Sequence, residues 1–189
     1  MDGLYVRGDS AATEMSAACI TASASRRVVS LRPVEEQGWE QRALFRRWPA
    51  GVSVVVAEVD GRRAGLTVSS LVSLSLDPPL VGISIALQAS LHELLREAGE
   101  WGASLLGGDQ DRIAQHFSRS VPPIAQWDGI VVRPDDPRLL VDAVGWIVAR
   151  NVDELRTGDH TFFVAEIVSL EQGPSPTSLV YVNREYRSV

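Results

Sequence analysis

The sequence contains no lysine, so all 18 of its basic residues are arginine. Mechanisms that need a lysine Schiff base or the lysine of a P-loop are therefore excluded. The single cysteine, Cys19, excludes an internal disulfide and a thiolate metal cluster. No run of apolar residues is long enough to span a bilayer, so we expect no membrane partner.

Several common site signatures are also missing. Neither the G-x-G-x-x-G pattern of a dinucleotide-binding turn nor the G-x-x-x-x-G-K-[ST] pattern of a P-loop occurs. The three histidines, His92, His116 and His160, lack the spacing typical of a zinc site, so we expect no metal. The formal net charge of −6 comes without a cluster of basic residues, and this argues against a nucleic-acid partner.

The first 34 residues differ in composition from the remainder of the chain. They are rich in Ala, Ser, Thr and Gly and show no helical or alternating apolar period, which is typical of a flexible extension. Acidic residues at Asp2, Asp9 and Glu14 stand where a secretory signal would be basic. The sequence thus predicts an N-terminal extension over 1–34, one domain over 35–189, and a cytoplasmic protein.

The remaining pattern is mostly that of antiparallel strands. Asp60-Gly61 predicts a tight hairpin turn, because both central positions of a type I′ turn need positive φ. Further strands are expected over 79–87, 100–107, 139–155, 160–173 and 178–186, with helices over 34–48, 91–99 and 109–119, the second capped by Ser90. This order predicts a mainly β, α+β fold, an antiparallel closed or split barrel with short flanking helices.

One stretch, AGLTVSSLVSLSLDPPLVGISI (64–85), is rich in both hydroxyls and apolar residues. Strict alternation would place hydroxyls on both faces of a strand, so we expect a turn around Ser69-Ser70 followed by a loop. Converging hydroxyls and N–H groups suit a phosphate or the polar edge of a heteroaromatic ring. The same serines are also compatible with ordinary turn capping, which the pattern alone favours, and both interpretations stay open.

The stretch WPAGVSVVVAEVDGRRAGLTVSSLVSLSLDPPLVGISI resembles the signature region of the flavin-reductase-like family. These are short-chain, FMN-binding split-barrel NAD(P)H:flavin oxidoreductases that serve two-component monooxygenases. The similarity continues through ASLHELLREAGEWGASLLGGDQDRIAQHFS to TGDHTFFVAEIVSL and LVYVNREY, which covers roughly Trp39 to Tyr186. The resemblance implies FMN or FAD as cofactor and NAD(P)H as co-substrate.

The resemblance also implies a set of site residues. The isoalloxazine edge and ribityl chain would contact Thr67, Val68, Ser69 and Ser70, and the flavin phosphate would lie near Ser84 and Ser90. Family members carry a basic residue after the second of these strands, where this chain has Leu87 and Gln88. A phosphate would then need hydroxyls, N–H groups or an arginine from elsewhere, such as Arg62 or Arg63.

Later positions in the chain complete that set. Ser104 and Leu105 match a family segment that usually reads Val-Asn-Val-Leu, and Phe117 matches an aromatic residue near the flavin. Tyr186 matches an aromatic residue beside the pocket. His160 matches a histidine associated with nicotinamide binding, although TGDH is also ordinary turn chemistry.

The function implied by the resemblance is an NAD(P)H-dependent flavin reductase that supplies reduced flavin to a partner monooxygenase. A homodimer with the flavin near its interface is implied as well. Two alternatives stay open on the residues alone. One is a flavoprotein oxidase, oxygenase or reductase that retains its flavin and acts on an organic substrate, and the other is a non-catalytic flavin- or haem-binding module.

Overall fold

The computed structural model of the chain describes residues 34–119 and 125–189. Most of the expected 1–34 extension, and Cys19 with it, lies outside these residues. Within them, three helices and ten strands follow one another: α1 (Val34–Phe45), β1 (Ala50–Gly51), β2 (Ser53–Val59), β3 (Arg62–Val68), β4 (Val72–Leu76), β5 (Pro79–Ala86), α2 (Ser90–Glu97), β6 (Trp101–Leu105), α3 (Asp111–Phe117), β7 (Gly145–Thr157), β8 (His160–Gln172), β9 (Leu179–Val182) and β10 (Glu185–Ser188).

Seven of the strands form one antiparallel sheet in the order β3-β2-β6-β7-β8-β5-β4. Such a sheet is about 29 Å wide at about 4.8 Å per neighbouring pair. Its two edge strands, β3 and β4, are nevertheless joined by only residues 69–71, which span roughly 13 Å from one strand to the next. The sheet must therefore curl until its edges approach each other.

The curled sheet encloses helix α2. The inward-facing side chains of β2, β3, β5, β6, β7 and β8 form one apolar cluster with Leu91, Leu94 and Leu95 of the helix. A mainly β, antiparallel fold with short helices is therefore confirmed. No ladder of hydrogen bonds joins β3 to β4 within the described residues, so the sheet is curled without being closed.

A second apolar cluster covers the outer face of β2. Val54 and Val56 pack there against Phe117 of α3, Leu140 and Leu179. A small sheet in the order β1-β9-β10 lies next to this cluster. The outer face of β2 and β3 is therefore covered by helix α3, the segment after residue 125 and the β9–β10 hairpin.

The hairpin predicted at Asp60-Gly61 is confirmed, with φ of 50° and 74° at these two residues. The expected loop after Ser70 is wrong in part, because β4 pairs with β5. A register shift between Ser73 and Ser75 interrupts the alternation that argued against a strand. The strand expected from residue 139 begins at Gly145, since a φ of 58° at Asp142 is incompatible with extended backbone.

Three further expectations need correction. The closing stretch is a hairpin of two strands, because Asn183 and Arg184 both have positive φ. Ser90 does not cap α2; the N-cap is Ala89, and no side chain bonds the helix end. The apolar residues of α1 do not pack on the described core: Trp39 is 65% exposed.

No helix in the described ranges is both long and apolar enough to cross a membrane. The same residues contain no group of three or more His, Cys, Asp and Glu side chains that could hold a metal ion.

Candidate functional site

A cavity of about 260 Å³ opens where β3 ends and the turn to β4 begins. We call it the turn cavity. Three of the site residues suggested by the resemblance, in the run 67–69, lie there together with Tyr186 from the far end of the chain. Its full lining is Val52, Thr67, Val68, Ser69, Ser118, Tyr181 and Tyr186.

The hydroxyls of this turn differ in their availability. Thr67 donates its hydroxyl hydrogen to the carbonyl of Ala114 in α3 at 2.7 Å. Ser70 donates to the carbonyl of Ser84 at 3.0 Å and accepts from the Ser84 amide at 3.1 Å. No described residue bonds the exposed hydroxyl of Ser69, so this group is the hydroxyl donor that the turn presents to a ligand.

Ser70 therefore stabilises the turn through its side chain. Its bonds to Ser84 join the turn after β3 to β5, although no backbone ladder connects β3 and β4. A serine hydroxyl has one donor and two acceptor positions, so only one acceptor position of Ser70 is left. Ser70 holds the shape of the turn, and Ser69 is the residue placed for contact.

The outer edge of β3 offers backbone groups as well. The side-chain amide of Gln126 accepts from the N–H of Gly65 at 3.0 Å and donates to its C=O at 2.9 Å, as a neighbouring strand would. In an antiparallel strand these edge-facing groups recur at every second residue, so those of Thr67 face the same edge. No described residue bonds them. The edge of β3 beside the turn cavity thus presents the backbone N–H and C=O of Thr67 to a ligand.

Two tyrosines form the opposite side of the turn cavity. Tyr181 and Tyr186 lie directly across from each other in the β9–β10 hairpin, with ring centroids 5.0 Å apart. Burial raises the pKa of the Tyr186 hydroxyl, while a hydrogen bond with Ser118 acts in the opposite direction. The hydroxyl therefore stays protonated at neutral pH, and the cavity wall is aromatic and uncharged.

A second group of the suggested residues lies at the end of β5. His160, the first residue of β8, pairs with Ala86, and the amide of Leu87 donates to the carbonyl of Asp159 at 3.0 Å. The His160 ring contacts the Asp159 carboxylate at 2.7 Å, and this hydrogen bond lowers the pKa of Asp159. His160 therefore lies beside the end of β5, the strand that carries Ser84. Helix α2 begins four residues after that strand end.

The structure places the other three suggested residues elsewhere. Ser104 is fully buried and its hydroxyl accepts from the amide of Leu140 at 2.9 Å. Leu105 pairs with Ser53, which also pairs with Val68, so it lies two strands, about 10 Å, from the turn. Phe117 is fully buried. Its ring would be 2.6 Å from a Cβ atom built on Gly65, which explains why glycine stands there.

Some lining residues had no signal in the sequence. Val52 and Ser118 reach the turn cavity from two separate segments, and only tertiary packing brings them to it. Tyr181 could have been found from the Asn183-Arg184 turn, which puts it opposite Tyr186. Gln126 could not, because its side chain replaces a strand partner 61 residues away.

This site fits a flat heteroaromatic ring with a polar edge. The turn cavity combines two tyrosine rings, the Ser69 hydroxyl, which no described residue bonds, and a donor–acceptor pair on a strand edge. A pyrimidine-like edge, with alternating carbonyl and N–H groups, has the matching pattern of donors and acceptors. Fold and site thus define an antiparallel β protein with a cavity outside its core that could accept such a ring.

Comparison with known proteins gives the family. The model of the flavin reductase like domain matches residues 45–189, and the chain belongs to this family. The NADH:riboflavin 5′-phosphate oxidoreductase of Streptomyces pristinaespiralis is 34% identical over 142 residues, which are 71% of this chain and 78% of that protein. The NADH-dependent flavin reductase StyB of Pseudomonas fluorescens is 32% identical over 139 residues, covering 72% of this chain and 81% of that protein.

Solved structures agree with this assignment. BorF, the flavin reductase component of a bacterial two-component tryptophan halogenase, superimposes with a TM-score of 0.73 at 28% identity, covering 80% of this chain and 98% of that one. The NADH:FAD oxidoreductase SgcE6 of Streptomyces globisporus C-1027, in complex with NAD and FAD fragments, gives 0.73 at 26% identity, covering 80% of this chain and 92% of that one.

Proposed function

We propose that this chain is an NAD(P)H-dependent flavin reductase that releases reduced FMN or FAD to a flavin-dependent monooxygenase. The observation that carries the proposal is the turn cavity, whose donors and aromatic walls suit a flavin ring, in a chain of the flavin-reductase-like family. When both are bound, the nicotinamide supplies a hydride from C4 and the flavin accepts it at N5.

The protein's own residues bind and orient. Ser69 and the edge groups of Thr67 would hold the polar edge of the flavin ring, where negative charge grows during reduction. Ser70 would keep the turn in position through its bonds to Ser84. His160, exposed at the tip of the β7–β8 hairpin and beside the end of β5, would contact the nicotinamide nucleotide.

For Ser104, Leu105 and Phe117 we predict an indirect role in flavin binding, without contact with the ring. Each would act on the flavin through the shape of the protein, since the turn cavity is not lined by any of the three. Val68 and Tyr186 line that cavity and would contact the ring directly. Ser84 would act through its backbone carbonyl and amide, which hold the hydroxyl of Ser70.

We also propose a homodimer in which the curled sheet is completed as a split barrel. Large apolar side chains are exposed on β4 and on the outer parts of β7 and β8: Val72, Leu74, Leu76, Val152, Leu155, Val168 and Leu170. An exposed apolar patch on sheet strands is typical of an interface. Light scattering on the purified chain tests this, and a monomer at micromolar concentration would contradict it. The cytoplasm remains the predicted location.

The function is tested by assaying NADH and NADPH oxidation with added FMN, FAD and riboflavin. Turnover that depends on free flavin is expected. A protein that keeps one flavin and does not reduce added flavin would instead favour the flavoprotein alternative. Absence of flavin binding would contradict both.

The role of His160 is tested with His160→Ala. We expect a raised KM for NADH and an unchanged KM for flavin, because the side chain lies outside the turn cavity. Asp153→Asn, an exposed change in the same hairpin, is the matched control. Unchanged NADH kinetics in His160→Ala would refute the assignment.

A further inference from the structure

A larger cavity, of about 540 Å³, lies at the opposite end of β3 from the turn cavity. We call it the hairpin cavity. It is lined by the β2–β3 hairpin, the first half of α2 and one tryptophan: Gly61, Arg62, Arg63, Ala64, Ser90, Glu93, Leu94 and Trp127. Its volume falls within the range of about 300–1,000 Å³ that small-molecule sites occupy.

Arg63 forms a flat cationic surface in this cavity. Its guanidinium carbon lies 3.7 Å from the ring centroid of Trp127, and its Nη1 donates to the carbonyl of Pro137 at 3.1 Å. The nearest carboxylate oxygen, on Glu58, is 4.0 Å from Nε. The Arg63 side chain is 23% exposed, so only part of its guanidinium is open to the cavity, and Arg is well suited to stacking against a planar ring there.

Two further groups suit a phosphate. Arg62 is 57% exposed and is tethered by an ion pair with Glu97, so its remaining donors point to solvent at the cavity. The exposed hydroxyl of Ser90 stands in the first turn of α2. Glu93 also lines the cavity, and its carboxylate is directed to His92 Nδ1 at 2.9 Å and Arg96 Nη1 at 3.9 Å.

The two cavities are connected by residues already assigned to the flavin site. From the turn, Ser70 bonds Ser84 on β5, and the chain then passes from β5 to Ser90 within six residues. Along β3, Thr67 and Arg63 are four residues apart on the same face, about 13 Å at 3.3 Å per residue. A ring bound in the turn cavity would need a long polar substituent to reach Arg63.

We propose that the hairpin cavity binds the adenosine 5′-phosphate half of a dinucleotide. Adenine would stack on the part of the Arg63 guanidinium that is open to the cavity, and the 5′-phosphate would accept from Arg62 and Ser90. The proposal rests on the proposed function, because it assigns the other half of the dinucleotide to the turn cavity. FAD and NADH share this adenylate chemistry; the course through Ser70, Ser84 and Ser90 favours FAD.

The test uses the full chain and two probes of binding. Calorimetry measures 5′-AMP, and fluorescence titration measures FAD, FMN and riboflavin, for the wild type and Arg63→Gln. We expect the variant to bind 5′-AMP and FAD about tenfold more weakly, the loss typical of one partly desolvated cation–π contact, and riboflavin as the wild type does. Arg62→Gln is expected to have a smaller effect in the same direction.

The matched control is Arg150→Gln. Arg150 is also 57% exposed and forms an ion pair with one glutamate, Glu100, as Arg62 does with Glu97. This control should bind all four ligands as the wild type does. Equal losses in Arg150→Gln and Arg62→Gln would show a general charge effect and overturn the proposal.

The remaining outcomes are also decisive. Weaker 5′-AMP and NAD⁺ binding with unchanged FAD binding would support the subsite and assign it to the nicotinamide dinucleotide. The proposal would be overturned if the wild type did not bind 5′-AMP. It would also be overturned if Arg63→Gln bound 5′-AMP and FAD with the affinities of the wild type. Failure of the proposed function is distinct, since no added flavin, riboflavin included, would then support NADH oxidation.

Discussion

The inner and outer faces of the β2–β3 pair are built from different chemistry. On the inner face, Val55, Ala57 and Ala64 pack in an apolar cluster around α2. On the outer face, Thr67 bonds α3, Gln126 bonds the edge of β3 and Arg63 stacks on Trp127. The inner face of this strand pair is thus purely apolar, whereas the outer face adds polar and cationic groups to the apolar cluster around Val54 and Val56.

This difference has a practical consequence for mutations. Changes on the inner face should lower the free energy of unfolding without altering the affinity of the folded protein for flavin. Changes on the outer face should alter both, in proportions that depend on the distance from the turn cavity. Four substitutions test this, in order of decreasing effect on stability.

Leu95→Ala is expected to have the largest effect. Leu95 of α2 is fully buried in the inner cluster, and its truncation leaves a cavity that costs about 2–5 kcal/mol. Urea unfolding measures this loss, and riboflavin titration of the folded variant should give the wild-type affinity. Leu44→Ala, at an exposed position of α1, is the control. A changed riboflavin affinity would break the separation of the two faces.

Gly65→Ala comes next. The new Cβ would lie 2.6 Å from the Phe117 ring, so the ring must move, at a cost of about 1–3 kcal/mol. Because Phe117 belongs to α3, which Thr67 also bonds, we expect riboflavin binding to weaken too. Gly51→Ala, in a strand where nothing lies within 4 Å of the new atom, should be neutral. Equal stability of the two variants, measured by urea unfolding, would contradict the packing argument.

Gln126→Leu removes the side-chain amide that bonds the edge of β3. Two hydrogen bonds to Gly65 are lost at a buried position, each worth about 0.5–1.5 kcal/mol, so we expect a loss of about 1–3 kcal/mol by urea unfolding. Gln115→Leu removes only a 3.3 Å contact with Asp111 and serves as the control. If Gln126→Leu were as stable as the control, the amide would not act as a strand partner.

Ser70→Ala has the smallest expected effect on stability, about 0.5–1.5 kcal/mol. Its effect on ligand binding should be larger in proportion, because the turn that presents Ser69 loses its bonds to Ser84. Riboflavin titration should therefore show weaker binding, while Ser73→Ala, an exposed change on β4, leaves it unchanged. Wild-type riboflavin affinity in Ser70→Ala would show that the hydrogen bonds between Ser70 and Ser84 do not shape the site.

The sequence-based expectations were right where a feature depends on neighbouring residues, and wrong where it depends on residues far away in the sequence. The hairpin at Asp60-Gly61 was predictable because positive φ at two adjacent residues is a local property. The turn at Ser69-Ser70 was predictable from the loss of alternation. Strand β4 was missed because its pairing with β5, including a register shift, depends on another strand.

The candidate site shows the same division. The family resemblance located the Thr67–Ser70 segment, but it could not say which hydroxyls the protein itself uses. Thr67 and Ser70 are engaged with α3 and β5, whereas no residue in the described ranges bonds the hydroxyl of Ser69. Ser104 is likewise used internally, by the amide of Leu140.

The sequence by itself determined the antiparallel class of the fold, its tightest hairpin and the membership of the family, because turn chemistry, apolar alternation and ordered motifs are all written along the chain. Only the tertiary structure decided which groups stay free for a ligand. A hydroxyl or a guanidinium binds a ligand only through the donors and faces that the protein leaves open, and the groups that engage Thr67, Ser70 and Arg63 come from other segments of the chain.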